Sequence, residues 1–344
     1  MNPSHALARQ KVQAGITTLA WVSAAYFKIN PKWVDADDYI QTMIVFESLV
    51  AKKGFDHADL VARYRVERPT SVCGVRVKDN GVEHEGQIHR LKQDPNPLYK
   101  AKTGYTPGCA MKAMPLGVWN REFHPTIFMA DAVTSVTHGT DEARLIGLLA
   151  ALRYRHALLE IDDPDRLVTE WTSAAKMLGL FGSAAWLRCD LSVQRARRIV
   201  KETWGTEALR RLLSRVGLMY FAWSCPVSAI FWSYALDPAF KNIFMHVGSD
   251  KKFSVGGERI LVDKDVLDEY AGHLKLHAED GKRWLEEPEK TGRQDSDTFF
   301  SIAFSIAAVR AHDFLTREES VQTLNDIGRE NWVPVLDAIE ERWQ

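Results

Sequence analysis

At 344 residues, with 46% hydrophobic residues and a formal net charge of −1, the chain carries enough apolar side chain for a large core. That balance excludes a disordered segment or a nucleic-acid coat held by bulk charge, and it names no partner by electrostatics. Four cysteines, Cys73, Cys109, Cys189 and Cys225, stand far apart without a C-x-x-C pair, so they read as buried reduced thiols rather than a disulfide framework or zinc site.

Met1 to Gln10 lacks the apolar core of a signal peptide, and no stretch reaches membrane-spanning length. A cytoplasmic protein without membrane or nucleic-acid partners is expected. Leu7 to Phe27 reads as one alanine-rich helix, with Val12, Ile16, Leu19, Ala20 and Trp21 on its apolar side. Pro31 and Trp33 mark a loop into Asp35-Ala36-Asp37-Asp38-Tyr39, ahead of a second helical pattern from Ile40 to Ala51. Adjacent carboxylates repel unless a cation or solvent neutralises them, so Asp37 and Asp38 fit either a helix cap or a cation site.

Cys73 to Pro97 is polar, with Val72, Val75 and Val77 alternating, and predicts a short hairpin or an extended loop. His84 and His89 within it have no metal-binding spacing and read as solvated. Gly104 to Gly117 is rich in Gly and Pro. Small residues at Gly108 and Ala110 would let main-chain N–H groups approach a phosphate or ribose closely, and a tight turn between helices explains them equally well.

Helices are predicted over Thr126 to Ser135 and Asp141 to Leu159, the second very apolar at Leu145, Leu148, Leu149, Ala151 and Leu152. His138 precedes it and could meet a ligand at the helix mouth, although a lone histidine is more often structural. Trp171 to Leu187 reads as another buried helix. Leu191 to Arg215 carries Arg195, Arg197, Arg198, Lys201, Arg210, Arg211 and Arg215 between apolar residues and reads as a solvated outer face. Leu218 to Leu236 is a core helix interrupted at Pro226.

Val247 to Thr291 is charged and Gly-containing, with a helical portion from Asp265 to Leu285. His273 and His277 there lie one turn apart without an acidic partner. Gly292-Arg293-Gln294-Asp295-Ser296-Asp297-Thr298 then runs into the apolar helix Phe299 to Val309. Asp295 and Asp297, spaced i, i+2, and the Thr298 hydroxyl could form an oxygen cage for Mg²⁺ or Ca²⁺, while capping is the commoner role of such a set. Glu318 to Trp343 makes one or two amphipathic helices expected on the outside. With no strand series or repeat, the reading is all-α: one compact domain, its helices crossing at several angles around a central cleft.

These motifs together resemble the ADP-ribosylglycohydrolase family, which carries a Thr-Asp-Asp-Thr motif at an early helix start and an Asp-x-Asp-Thr motif at a late one. Asp37-Asp38 and Asp295-Ser296-Asp297-Thr298 occupy those places. Gly108-Cys109-Ala110-Met111-Lys112-Ala113-Met114-Pro115-Leu116-Gly117 resembles the family's Gly-x-Ala-Met-Arg-x-x-Pro-Leu-Gly loop, and Thr137-His138 and Ser224-Cys225-Pro226 match two further landmarks in order.

The resemblance implies a single orthogonal helical domain over residues 1–344, with an insertion at 247–291 and a helical tail at 318–344. It also implies a Mg²⁺ pair, replaceable by Mn²⁺, held by Asp37, Asp38, Asp295, Asp297 and Thr298, with Asp38 and Asp297 catalytic. Gly108, Cys109, Ala110, Met111 and His138 would contact substrate. That substrate would be an ADP-ribosyl group on a protein side chain or a related ribosyl compound. The alternatives are a hydrolase of another small ribosyl N-glycoside and a degenerate member that only binds.

Departures from the pattern are specific. The family's two threonines are Ala36 and Tyr39, its loop arginine is Lys112, the residue before Gly108 is Pro107, and no Gly-Asp-Ala-Leu-Gly segment opens the chain. Loss of the hydroxyl beside Asp37 is expected to weaken one of the two metal sites.

Overall fold

Apolar side chains recurring every three or four residues become helices throughout the computed structural model. It describes residues 3–29, 37–66, 89–104, 107–204, 208, 211–212, 225–235, 246–247, 253–255, 260–262, 296–310, 317–326 and 333–342. In chain order these hold α1 (Pro3–Ile29), α2 (Asp37–Lys52), α3 (His57–Val66), α4 (Gly108–Met111), α5 (Ala113–Trp119), α6 (Phe123–Thr137) and α7 (Asp141–Leu158). Then come α8 (Pro164–Met177), α9 (Ala184–Glu202), α10 (Cys225–Ala235), β1 (His246–Val247), β2 (Phe253–Val255), β3 (Ile260–Val262), α11 (Ser296–Arg310), α12 (Arg317–Asp326) and α13 (Val333–Arg342).

The architecture is helical, as the sequence implies, but not purely so. β1, β2 and β3 form a small antiparallel sheet in which His246 faces Ser254 and Phe253 faces Val262. The strands are two or three residues long, too short for the alternation that marks a strand in sequence. The predicted helical portion from Asp265 to Leu285, with His273 and His277, lies outside the described residues, as do His84 and Cys73.

α7 is the axis of the core. Every residue from Leu145 to Leu158 is buried, because α1, α4, α5, α6, α8, α9, α10 and α11 all pack on it. A helix enclosed on all sides must be small and apolar for most of its length, and α7 is largely Ala, Leu and Gly until its last turns. Thr140 caps it by accepting from the Ala143 N–H. α1 lies along α11 so closely that a Cβ on Gly15 would stand 2.4 Å from Val309 Cγ2.

Trp171 to Leu187 is not one helix. α8 ends at Met177, and Gly179 and Gly182 follow with φ of 69° and 78°, the left-handed region that glycine occupies without strain. Ser183 then caps α9 by accepting from the Trp186 N–H. Of the basic run, Arg210 and Arg215 lie outside the described residues, Arg211 follows α9 and pairs with Glu202, and Arg195, Arg197, Arg198 and Lys201 lie on α9, which starts at Ala184 and ends at Glu202. Arg197 and Lys201 there pair with Asp165, and Arg188 pairs with Glu142. Of the expected polar loop, residues 89–93 are helical. The C-terminal helices are amphipathic but not merely superficial: Ser320, Leu324, Val335 and Leu336 are buried, α12 against α1 and α13 against α1 and α2.

Charged groups at the end of α7 are held by partners. The Arg153 guanidinium, fully buried, donates to Ser233 Oγ at 2.9 Å and lies 3.6 Å over the Tyr234 ring. Burial, only partly opposed by Arg153, pushes the Tyr234 hydroxyl up to about 12. Glu170 of α8 accepts from Arg155 at 3.1 Å, His156 Nε2 at 2.9 Å and Arg166 at 3.0 Å. Burial raises its carboxyl, but the His156 hydrogen bond and charge and the two arginines outweigh burial and hold it at about 2. Burial also depresses His156 against the pull of Glu170, so at neutral pH the ring is a neutral donor and adds its charge beside Glu170 only on acidification.

A carboxyl with a folded value of about 2 against an ordinary 4.5 adds stability that is complete above 4.5 and lost as pH falls through 2. His156 acts in the same direction, its share fading as pH falls below the ordinary histidine value of 6.5. Glu170→Gln is therefore expected to cost on the order of 2 kcal/mol at pH 7, a difference that shrinks on acidification. Urea unfolding at a series of pH values checks this, and a deficit that stays constant down to pH 3 contradicts it.

Candidate functional site

The loop singled out in the sequence is not open. Pro107 sets the first turn, Gly108 to Met111 form α4, and Lys112 (φ −90°, ψ 10°) breaks the helical run before α5 starts at Ala113. Pro115 falls in the first turn of α5, where a missing N–H costs no hydrogen bond. Gly108, Cys109, Ala110 and Met111 are all buried. A Cβ on Gly108 would lie 2.9 Å from both Cε1 and Nε2 of His138, so glycine here makes room for the imidazole edge.

Around α4 the chain assembles a buried polar cluster. Thr42 Oγ1 donates to the Met111 carbonyl at 2.9 Å, and Gln41 Nε2 donates to Met111 Sδ at 3.4 Å. Lys112, fully buried, directs its ammonium at Gln41 Oε1 (3.3 Å), Thr137 Oγ1 and His138 Nδ1 (3.4 Å), 5.9 Å from the Tyr64 ring centroid. Thr137 Oγ1 lies 2.9 Å from His138 Nδ1. A buried ammonium is tolerated only when several acceptors replace water, and these come from α2 and the end of α6.

His138 is pinned from behind as well. Its N–H closes α6 by donating to the Thr134 carbonyl at 2.8 Å. Residues 101–103 run alongside, Ala101 N–H to the Ser135 carbonyl and Gly139 N–H to the Thr103 carbonyl, both at 2.7 Å. Gly139 is obligatory, since a Cβ there would stand 1.7 Å from the Ala101 carbonyl oxygen.

The acidic motifs stand on neighbouring elements. Asp37 and Asp38 open α2, one helical turn before Gln41 and Thr42, and Asp297 and Thr298 lie in the first turn of α11. α2, α4 and α11 pack on one another. Thr298 is fully buried. Asp295 and the side chains of Asp37, Asp38 and Asp297 lie outside the described residues, as does Ala36. Among the described residues no three His, Cys, Asp or Glu side chains come together to hold a metal. The set that the resemblance assigns, carboxylates and one hydroxyl, consists of hard oxygens, the donor chemistry Mg²⁺ requires, and the two helices that carry most of it, α2 and α11, are in contact.

Gln41 and Thr42 were not singled out in the sequence. The signal that could have found them is the i, i+4 spacing from Asp37 and Asp38, which places each on the helix face of one acidic residue. Cys109, Cys189 and Cys225 are buried thiols outside any disulfide, and burial pushes the Cys189 thiol well above its ordinary range. No helix among the described residues is long and apolar enough to cross a membrane.

Residues 3–248 match the family model described as ADP-ribosylglycohydrolase. That match ends ahead of the Asp295-Ser296-Asp297-Thr298 motif. A solved structure described as an ADP-ribosylglycohydrolase-related protein complex is similar at a TM-score of 0.54, covering 98% of this chain and 100% of its own, with 15% identity. At that identity the likeness is one of fold. No curated protein matches the chain in sequence.

Proposed function

The chain belongs to the ADP-ribosylglycohydrolase family, and from that premise we propose that it is a Mg²⁺-dependent hydrolase of the glycosidic bond of an ADP-ribosyl group, on a protein side chain or in a related ribosyl compound. The observation that carries the reading is the mutual packing of α2, α4 and α11, which brings onto adjoining elements three motifs scattered along the sequence.

Asp37, Asp38, Asp295, Asp297 and Thr298 would hold the metal, which when bound supplies an anchor for ribose hydroxyls and an acidified water. The first turns of α2 and α11 contribute N–H groups without helical partners, and these favour the carboxylates in their charged state. Gln41, Thr42 and Lys112 fix α4 against α2. That anchoring of α4 on the helix that Asp37 and Asp38 open supports a role for the α4 backbone in orienting a ribosyl group.

Release of ADP-ribose from an ADP-ribosyl-arginine peptide, with and without Mg²⁺, tests this directly. Turnover that disappears with chelator and returns with Mg²⁺ or Mn²⁺ is expected. Absence of turnover on both peptide and small ribosyl glycosides, with no Mg²⁺ uptake by calorimetry, would leave a non-catalytic binding protein. The departure at Ala36 adds a graded test: Ala36→Thr restores an oxygen beside Asp37, so tighter Mg²⁺ binding in the same titration is expected. Unchanged affinity would remove Ala36 as the cause of a weakened site.

A further inference from the structure

We infer that Lys112 is a positioning residue that, together with Thr137, fixes His138 as the neutral Nε2–H tautomer and turns that N–H edge toward the start of α4. The role deepens the site proposed above and rests on that reading for its catalytic meaning, but the tautomer itself follows from hydrogen-bond chemistry alone.

An ammonium has three donors and no acceptor. Lys112 Nζ reaches Thr137 Oγ1, so that oxygen accepts from it and the hydroxyl proton is available for His138 Nδ1, 2.9 Å away. The same ammonium stands 3.4 Å from Nδ1. Both neighbours thus present hydrogens to Nδ1, which must be a bare lone pair, and a neutral ring then carries its proton on Nε2. A proton on Nδ1 would face the ammonium protons, and an imidazolium would place two positive charges side by side in a fully buried place.

The Cε1–Nε2 edge faces Gly108, where a Cβ would come within 2.9 Å of Nε2. The backbone that carries the ring is held at His138 and Gly139, whose N–H groups donate to the Thr134 and Thr103 carbonyls. His138 is therefore a fixed donor and not a proton shuttle.

The full chain with ¹⁵N-labelled histidine reports the tautomer by long-range proton–nitrogen correlation, with His138→Gln used to assign the signal. For the unaltered protein we expect a protonated Nε2 and a bare Nδ1. Lys112→Met removes the donor and is expected to give mixed tautomers, and Lys112→Arg is expected to restore the single form. A protonated Nδ1 in the unaltered protein overturns the inference, and so does a Lys112→Met spectrum identical to it. If Lys112→Met does not fold, the unaltered protein and Thr137→Val decide, since Thr137→Val keeps the ammonium and should keep Nδ1 bare. Loss of the hydrolase reading would show as absent turnover in the unaltered protein with this spectrum intact.

Discussion

Asp297→Ala is expected to reduce Mg²⁺-dependent release of ADP-ribose by roughly 10³-fold, equivalent to about 4 kcal/mol of transition-state stabilisation. Asp297 is the second residue of α11, in the turn whose N–H groups lack helical partners, so as a cap it is worth only about 1 kcal/mol. A metal ligand contributes far more, because a hard cation has few substitutes for a carboxylate oxygen. The two roles separate in one experiment. Thermal unfolding should shift by a few degrees while turnover and calorimetric Mg²⁺ uptake collapse together. A variant that keeps activity but loses stability would make Asp297 a cap and nothing more.

The largest effect on stability is expected at Gly139. Its missing side chain lets Ala101 cross at contact distance, and a Cβ would lie 1.7 Å from the Ala101 carbonyl oxygen and 2.5 Å from its carbon. Backbone cannot retreat here without breaking the Ala101 to Ser135 and Gly139 to Thr103 hydrogen bonds, both at 2.7 Å. Gly139→Ala should therefore cost more than about 3 kcal/mol and dislodge His138 with it. Gly54→Ala is the control, since nothing lies within 4 Å of the Cβ it would add. Equal melting temperatures for the two variants would mean that the crossing of residues 101–103 over His138 is wrong.

Much of the helical framework was legible because apolar spacing is a direct imprint of burial. The predictions for α1, α2, α6 and α7 each fall within a few residues of the observed helices. What was missed has identifiable causes. α3 shows little amphipathic contrast, and its start is marked only by Asp56, whose Oδ1 accepts from the Asp59 N–H. The break between α8 and α9 was written as Gly179, Gly182 and Ser183, but apolar residues on both sides masked it.

The site was legible in a different way. Resemblance picked out α4 and Thr137-His138 as landmarks, yet nothing in the pattern says that Gln41, Thr42, Lys112 and Thr137 are buried. Polar residues at core positions look like surface residues until their partners are known, and these partners come from α2, α4 and α6, far apart in sequence.

The contact between α1 and α11 sets the order in which the molecule can be completed. α1 buries Ala8, Val12, Ile16, Leu19 and Ala20, and its long neighbour is a helix that begins only at Ser296. During synthesis α1 leaves the ribosome well before α11, and its face for α11 stays uncovered until Ser296–Arg310 has followed. Long-range closure of this kind is slow and leaves the nascent chain open to aggregation. For the same reason a chain cut after the family match, residues 3–248, is expected to leave the α11 side of α1 uncovered.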